Sequence, residues 1–316
     1  METYVDCIPC FLRQALEAGR MASDDERVVG RIMQQVLQEA AAFSLDLTPP
    51  HMGQRIHRIV RTVSGHADPY REVKTRQNRL GAEWYPHLRQ RAEQAPNPRD
   101  FALRLAVAGN VIDLGPPDNR PDEAPEAMEQ DALSRQLAID HRIAFWRAVD
   151  RADRILYLAD NAGEIFLDRL LVEYLPQGKV TVAVRGGPAI NDVTLEDLDG
   201  TGFGEVAEVI GNGSDAPGTI LEDCSEAFLE RYHAADVIIS KGQGNYETLS
   251  RADRHIFFLL RVKCPVLARD MGCQVGEPVV KELRPGQGTT QEISCQETAQ
   301  ETSEQGTARK IEGPNG

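Results

Sequence analysis

Two apolar runs in this chain end in residues that can bind a cation. The run ILYLA (155–159) is followed directly by Asp160 and Asn161, and the run VTVAV (180–184) is followed by a polar segment that reaches Asp192. Carboxylate and amide oxygens are the hard ligands that Mg²⁺ and similar ions prefer. We therefore predict that Asp160, Asn161 and Asp192 hold a divalent metal ion and take part in catalysis.

A lysine within a glycine-rich segment follows a third apolar run. Lys241 comes directly after VIIS (237–240), and Gly242 and Gly244 follow it. A lysine is a point charge for an anion, and glycines let backbone amides approach a ligand closely. Together with a metal ion, this segment is predicted to bind a phosphate group, with Lys241 in a catalytic role. It lacks the GxxxxGK[ST] pattern of a P-loop, so by itself it is a weak signal.

The positions of these residues strengthen the prediction. Ligands of open α/β sheets bind beyond the carboxyl ends of the strands. The runs VAEVI (206–210) and PVLA (265–268) are also predicted to be strands followed by polar loops. Taken alone, the Asp-Asn pair could be only a helix N-cap and RGGPAIND only a turn. Their coincidence favours one site, and the residues expected to bind its substrate are Glu164, Arg185, Gly242, Gly244 and Asn245.

The elements that must position these residues change in character near residue 150. Apolar residues recur at helical spacing in segments such as 7–22, 51–65 and 132–152, whereas short strand-like runs alternate with helices or loops afterwards. We predict an α/β fold in which a helical domain (1–150) packs on a Rossmann-like domain with a mainly parallel sheet (151–283). The segment 284–316 has no aromatic residue, which predicts a disordered tail that is dispensable for chemistry.

Composition excludes some classes of function. The net charge of −14 argues against broad binding to nucleic acid, whose phosphates require a basic face. No window of the sequence is apolar enough to span a membrane, and the N-terminus lacks the features of a signal peptide, so we expect a cytoplasmic protein without membrane contact. The six cysteines are too sparse for a disulfide framework, which predicts reduced thiols.

Three further segments have plain structural interpretations when each is considered alone. Cys7 and Cys10 form a single CxxC, which is half of a zinc site, so buried structural thiols are the favoured interpretation. In DPYREVKTRQN (68–78), the pair Lys74 and Asn78 favours a solvated helix face. In AGNVIDLG (108–115), the glycines and the asparagine favour a helix C-cap.

Seven segments in order resemble the damage-control phosphatase family. They are CIPCFLRQA, DPYREVK, AGNVIDLG, LADNAGEI, RGGPAINDVT, SKGQGNYE and KCPVLARDMG, and the resemblance spans about residues 4 to 283. The N-terminal CxxC is similar to that of the compact prokaryotic branch. One departure is Cys273, where relatives more often have a small apolar residue, and no catalytic consequence is expected.

The resemblance implies a helical domain on a Rossmann-like domain and metal-dependent hydrolysis of phosphomonoesters. It implies a Mg²⁺, Mn²⁺, Co²⁺ or Ni²⁺ ion on Asp160, Asn161 and Asp192, with Lys241 on the substrate phosphate. It also implies that Asn110 and Asp113, in the segment AGNVIDLG, face the same cleft and bind substrate. The expected substrates are small phosphorylated metabolites, namely damaged or surplus sugar and cofactor phosphates.

Two other functions and one mechanistic choice stay open at the level of sequence. Carboxyl methyl transfer from S-adenosylmethionine is compatible with a parallel sheet, but no GxGxG loop follows the first strand. A metal- or nucleotide-sensing module would use Cys7 and Cys10. For phosphatase chemistry, direct attack by water is favoured over a phospho-aspartyl intermediate, because an Asp160 committed to a metal ion is less free as a nucleophile. The oligomeric state is not predicted.

Overall fold

Helices form the first part of the chain, and strands alternate with helices in the second. The computed structural model describes residues 1–109 and 125–287. Within these ranges the helices are α1 Cys7–Ala22, α2 Glu26–Ala42, α3 Pro49–Ser64, α4 Arg71–Gln94, α5 Pro98–Gly109, α6 Pro125–Ser134, α7 Arg142–Arg151, α8 Ile165–Val172, α9 Glu226–Ala234, α10 Gly242–Leu249 and α11 Pro265–Met271. The strands are β1 Ile139–Asp140, β2 Ile155–Leu158, β3 Val180–Val184, β4 Glu208–Gly211, β5 Val237–Lys241, β6 Ile256–Arg261 and β7 Pro278–Leu283.

The strands form one sheet with the order β1-β7-β6-β5-β2-β3-β4. Neighbouring strands are parallel except for β6 and β7, which are antiparallel. From β2 the sheet continues to β3 and β4 on one side, whereas β5 and β6 lie on the other side. The strand order therefore reverses between β2 and β5, and the crevice at such a reversal is where α/β proteins bind ligands.

Both faces of the sheet are buried, each under its own set of helices. Successive side chains of a strand point to opposite faces. In β2, Ile155 and Tyr157 belong to the core that also contains side chains of α4 to α8. Leu156 and Leu158 belong to the core shared with α1 to α3 and α9 to α11. Burial on both faces explains why all four residues of β2 are large and apolar or aromatic.

The predicted fold class is confirmed. The helices predicted near 7–22 and 51–65 are present as α1 and α3, and α3 begins with two prolines and stops at Gly65, which has φ 73°. The division of the chain at residue 150 stays a prediction, and α4 and α5 pack directly on α8 across it. Residues 288–316, most of the predicted tail, lie outside the described residues.

Several predicted elements were wrong. PVLA (265–268) lies in α11, because Pro265 occupies the first helical turn and the Cys264 side chain caps it by accepting a hydrogen bond from Leu267 N. The strand after β5 is instead β6, and neither β6 nor β7 was predicted. VAEVI is shifted, since β4 starts at Glu208. The helix predicted over 132–152 is interrupted by β1, which pairs with β7.

No helix in the described part of the chain combines the length and the apolar character that crossing a bilayer requires.

Candidate functional site

Asp160 and Gly242 meet at the point where the strand order reverses. Asp160 follows β2, and Gly242 follows β5, its neighbour in the sheet. A Cβ atom added to Gly242 would lie 1.8 Å from Asp160 Oδ2, and the backbone of Gly242 has φ +78°. Because only glycine leaves this space and adopts this conformation at low cost, the close approach of the loop to the carboxylate depends on it.

The loop after β3 brings Asp192 to the same place. Asn161 and Asp192 form an isolated antiparallel bridge, and Val193 N donates to Asp160 O at 2.8 Å. The loop contains a backbone outlier, because the β-branched residue Ile190 has φ 48°. Such strain is costly and clusters at functional sites. The structure thus brings the three predicted metal ligands together, each at most 8% exposed.

Arg185 lies between the two aspartates. Its Nε donates to Asp192 Oδ2 at 2.6 Å, and its Nη1 donates to Asn245 Oδ1 at 3.1 Å. Its Nη2 is 3.7 Å from Asp160 Oδ1 and has no hydrogen-bond partner among the described residues. A buried guanidinium nitrogen without a partner is costly. An anionic oxygen bound beside Asp160 would supply the missing acceptor.

The amide of Asn161 has a fixed orientation. Its Nδ2 donates to Asp160 Oδ2 at 2.9 Å and to Glu164 Oε2 at 3.0 Å. Both amide hydrogens are therefore used, which leaves Oδ1 as the side-chain atom that can serve as a ligand. Glu164, predicted to bind substrate, has no exposed area and orients this amide.

The side chain of Lys241 has no exposed area. Its Nζ is 2.5 Å from Asp168 Oδ1 and also pairs with Glu164 Oε1. Burial alone would lower the pKa of Lys241, but the charges of Asp168 and Glu164 outweigh it and raise this pKa above its usual value. The ammonium is thus charged and held by protein carboxylates. Its contact with the substrate phosphate stays a prediction.

Asn245 and Gly244, also predicted to bind substrate, connect the loops. Asn245 Nδ2 donates to Lys241 O at 2.8 Å, and its Oδ1 accepts from Thr219 Oγ1 at 2.8 Å. A Cβ atom on Gly244 would lie 2.0 Å from Pro217 O. Both residues therefore hold the loop after β4 against the start of α10, and their contact with substrate stays a prediction.

Burial shapes the electrostatics of the site. The pKa of Asp160 is raised to about 8, first by burial and then by the charges of Asp192 and Glu164. Burial also raises the pKa of Asp192, against the opposing effect of Arg185. Such shifts indicate that the carboxylates lack sufficient positive charge and would bind a cation readily.

Lys263 is a positively charged residue near this site that was not among the predicted residues. Its charge lowers the pKa of both Asp160 and Asp192, so it lies near them, and its side chain is exposed. It occupies the connection between β6 and α11. The strand-end rule would have found it if the buried run IFFLLR had been recognised as a strand.

The start of α4 also reaches the site, contrary to a solvated helix face. Lys74 is 1% exposed, and its Nζ pairs with Asp68 at 2.8 Å and with Asp197 at 2.7 Å. Asn78 Oδ1 accepts a hydrogen bond from Gly163 N at 2.7 Å. The helical part of the chain thus fixes the loop that follows β2.

Comparison with known proteins identifies the family and the fold. The model of the damage-control phosphatase ARMT1-like domain matches residues 3–279. A damage-control phosphatase of Pyrococcus horikoshii is 34% identical over 86% of this chain and 94% of its own. One of Archaeoglobus fulgidus is 32% identical over 87% of this chain and 97% of its own. The crystal structure of a DUF89 family protein from Pyrococcus horikoshii superimposes with a TM-score of 0.81 at 32% identity, covering 89% of this chain and 99% of that one.

The chain belongs to the damage-control phosphatase family. The predicted family, fold and phosphatase class are therefore confirmed. Damage-control phosphatases depend on a metal ion and act on small phosphorylated metabolites.

The described residues fit a metal ion at the predicted position. Two buried carboxylates and the side chain of Asn161 lie together there, and the Asn161 amide, whose nitrogen is held by Asp160 and Glu164, keeps its oxygen available; hard oxygen donors suit a small divalent ion. In the described ranges, no group of three or more histidine, cysteine, aspartate and glutamate side chains is arranged as a metal site. The predicted set does not conflict with this, because its third ligand is Asn161.

One prediction from the family resemblance, that Asn110 and Asp113 face the cleft, remains without a structural test. Asn110 and Asp113 lie outside the described residues. At the N-terminus, Cys7 is buried and Cys10 is exposed, and both are free thiols. The favoured interpretation of buried structural thiols therefore holds for Cys7 and is wrong for Cys10.

Proposed function

We propose that this damage-control phosphatase hydrolyses phosphomonoesters of small metabolites at the crevice between β2 and β5. The observation that supports it most directly is Arg185 Nη2, which lies 3.7 Å from Asp160 Oδ1 and has no hydrogen-bond partner among the described residues. A phosphoryl oxygen there would accept a charge-assisted hydrogen bond from Arg185 while the ester lies next to the proposed metal ligands. The exposed Lys263 supplies a second positive charge near the two aspartates.

Asp160, Asn161 and Asp192 are the proposed ligands of a Mg²⁺, Mn²⁺, Co²⁺ or Ni²⁺ ion. When bound, such an ion polarises the phosphoryl group and helps to activate water. Arg185 orients the phosphoryl group and stabilises the charge that develops on its oxygens during transfer. We assign direct attack by water, because the Asp160 carboxylate is held by Asn161 and enclosed by Gly242.

Lys241 is assigned a supporting role, in which it holds Glu164 and Asp168. Its two carboxylate partners already neutralise it, so it is less suited than Arg185 to compensate for phosphate charge. Glu164, Gly242, Gly244 and Asn245 are assigned to fixing the loops around the substrate. The acidic chain is proposed to act without nucleic acid, in the reducing cytoplasm that its five described free thiols suit.

The test is release of inorganic phosphate from a panel of sugar phosphates and phosphorylated cofactor fragments, with each of the four ions. Asp160→Asn and Asp192→Asn should each lower kcat/KM by at least about 100-fold. Asp153→Asn, an exposed aspartate that precedes β2, is the matched control and should retain full activity. Activity that survives chelation, or that survives both substitutions, would contradict the proposal.

A further inference from the structure

A line of buried polar groups leads from the core of the sheet to the proposed metal ligands. Tyr157 on β2 donates from its hydroxyl to Asp168 Oδ1 at 2.8 Å. Lys241 Nζ is 2.5 Å from the same oxygen and also pairs with Glu164. Glu164 in turn accepts from the amide of Asn161 at 3.0 Å. The first four of these side chains are fully buried.

This buried network of charged groups is not an effective way to stabilise the fold. Removing an ammonium and two carboxylates from water is costly, and well-packed apolar side chains are often as stabilising or more so. Asp168 Oδ2 is moreover buried without a hydrogen-bond partner among the described residues. Because each group has a defined partner, the network fixes the orientation of its side chains.

Local geometry explains how the chain builds it. Glu164 immediately precedes α8 and makes no capping hydrogen bond with its side chain, and Asp168 lies one turn further along, so both carboxylates lie on the same side of the helix. That side meets Lys241, the last residue of β5, while the hydroxyl of Tyr157 reaches Asp168 from β2. Three elements that flank the crevice, α8, β2 and β5, are therefore joined at the Asp168 carboxylate.

We propose that Asp168 and Tyr157 are positioning residues for the metal site. Asp168, held by Tyr157, anchors Lys241, and Lys241 fixes Glu164. Glu164 then holds the Asn161 amide so that its Oδ1, and not its Nδ2, is presented as a ligand. The inference rests on the proposed function of Asn161 as a metal ligand. Partners that orient ligands in this way commonly change metal affinity or activity by about 10- to 100-fold when they are lost.

The test compares Asp168→Asn and Tyr157→Phe with Tyr246→Phe. Tyr246 is the matched control, because it is also a buried tyrosine whose hydroxyl donates to a carboxylate, Asp270 Oδ2 at 2.7 Å, outside the network. The readouts are the Kd for Mn²⁺ by electron paramagnetic resonance, thermal unfolding of the metal-free protein, and kcat and KM separately.

Asp168→Asn should weaken Mn²⁺ binding by about tenfold or more and lower kcat more than it changes KM. Tyr157→Phe should act in the same direction, by a few-fold. Tyr246→Phe should lower the Tm as Tyr157→Phe does and leave Mn²⁺ affinity unchanged. Wild-type Mn²⁺ affinity in both network variants would overturn the proposal, and so would an equal loss in the control.

The outcomes separate this inference from the function on which it rests. If Asp168→Asn does not fold, Tyr157→Phe decides the question, because it removes only a hydroxyl. If the wild-type protein binds Mn²⁺ but releases phosphate from no ester, the proposed function fails while the comparison of affinities still tests positioning.

Discussion

Gly242 lies so close to Asp160 that an added methyl group would stand 1.8 Å from Asp160 Oδ2. The two residues follow β2 and β5, where the order of the strands reverses. Their contact places a backbone with φ +78° directly against the carboxylate that we assign to the metal ion. The space around this carboxylate is consequently set by the glycine.

Gly242→Ala should abolish most activity for this reason. The added methyl group must displace the Asp160 carboxylate, and misplacement by about 1 Å can reduce catalysis by about 100-fold. Gly272→Ala is the matched control, since Gly272 has φ +71° but nothing within 4 Å of its added Cβ. Both variants should lose about 1–2 kcal/mol of stability from the left-handed backbone. Only Gly242→Ala should lose Mn²⁺ binding and kcat; equal activity in the two variants would show that the contact is unimportant.

Replacing Arg185 tests recognition of the phosphoryl group. Arg185→Met removes the unpartnered Nη2 and the counter-charge of Asp192, so kcat/KM for a phosphomonoester should fall by about 100-fold or more. Arg142→Met also removes a partly buried arginine–aspartate pair, with Asp100, but at the contact between α7 and α5. It should lower the free energy of unfolding and retain the wild-type KM. A wild-type KM and kcat in Arg185→Met would refute the assigned role.

The sequence could predict that the three proposed metal ligands lie together, because this depends only on where neighbouring strands end. The ligands are Asp160, Asn161 and Asp192. β2 and β3 are continuous apolar runs, and parallel neighbours must end at the same edge of a sheet. The environment of Lys241 was not predictable from that rule, which places a residue at an edge without saying what its side chain meets. A signal existed, because Glu164 and Asp168 are four residues apart at the start of a helix.

Strand β6 was not predicted, and the physical reason is different. PVLA and IFFLLR are both short apolar runs, and periodicity cannot separate a buried strand from a buried helical turn at that length. Pro265 and the capping Cys264 determine a helix for the first run. The consequence was local but relevant to function, because Lys263 follows β6 and was not recognised as part of the site.

The raised pKa of Asp160 predicts that metal binding depends on pH. Its pKa of about 8 means that the metal-free protein holds a proton at this carboxyl at neutral pH. A cation must displace that proton, so Mn²⁺ affinity should rise by about tenfold per pH unit up to about pH 8 and then level off. Calorimetry in buffers with different ionisation enthalpies should detect the released proton. Affinity that is constant between pH 6 and 8 would contradict the prediction.

The same carboxyl should make the metal-free protein less stable as the pH rises. The folded state binds the proton more tightly than the unfolded state does, because the pKa is about 8 when folded and near the usual 3.8 when unfolded. The resulting stabilisation is complete below about pH 4 and is lost as the pH increases through about 8. Urea unfolding of the metal-free protein at pH 6 and pH 8 measures this loss. Asp160→Asn should reduce the difference between the two pH values, and an unchanged difference would assign the effect to other groups.

Lys263 should act on substrate capture more than on the chemical step. Lys263 is exposed and its charge acts on both buried aspartates, so we expect it to attract an anion without being enclosed with it. Lys263→Ala should raise KM for a sugar phosphate by about tenfold, which is the scale of one lost charge-assisted hydrogen bond, with a smaller change in kcat. Lys179→Ala removes a half-buried lysine located just before β3, at the opposite edge of the sheet, and should leave KM unchanged.

The increase in KM caused by Lys263→Ala should also diminish at high salt, because exposed charges are screened. A large fall in kcat at unchanged KM would instead place Lys263 among the groups that stabilise the transferring phosphoryl group.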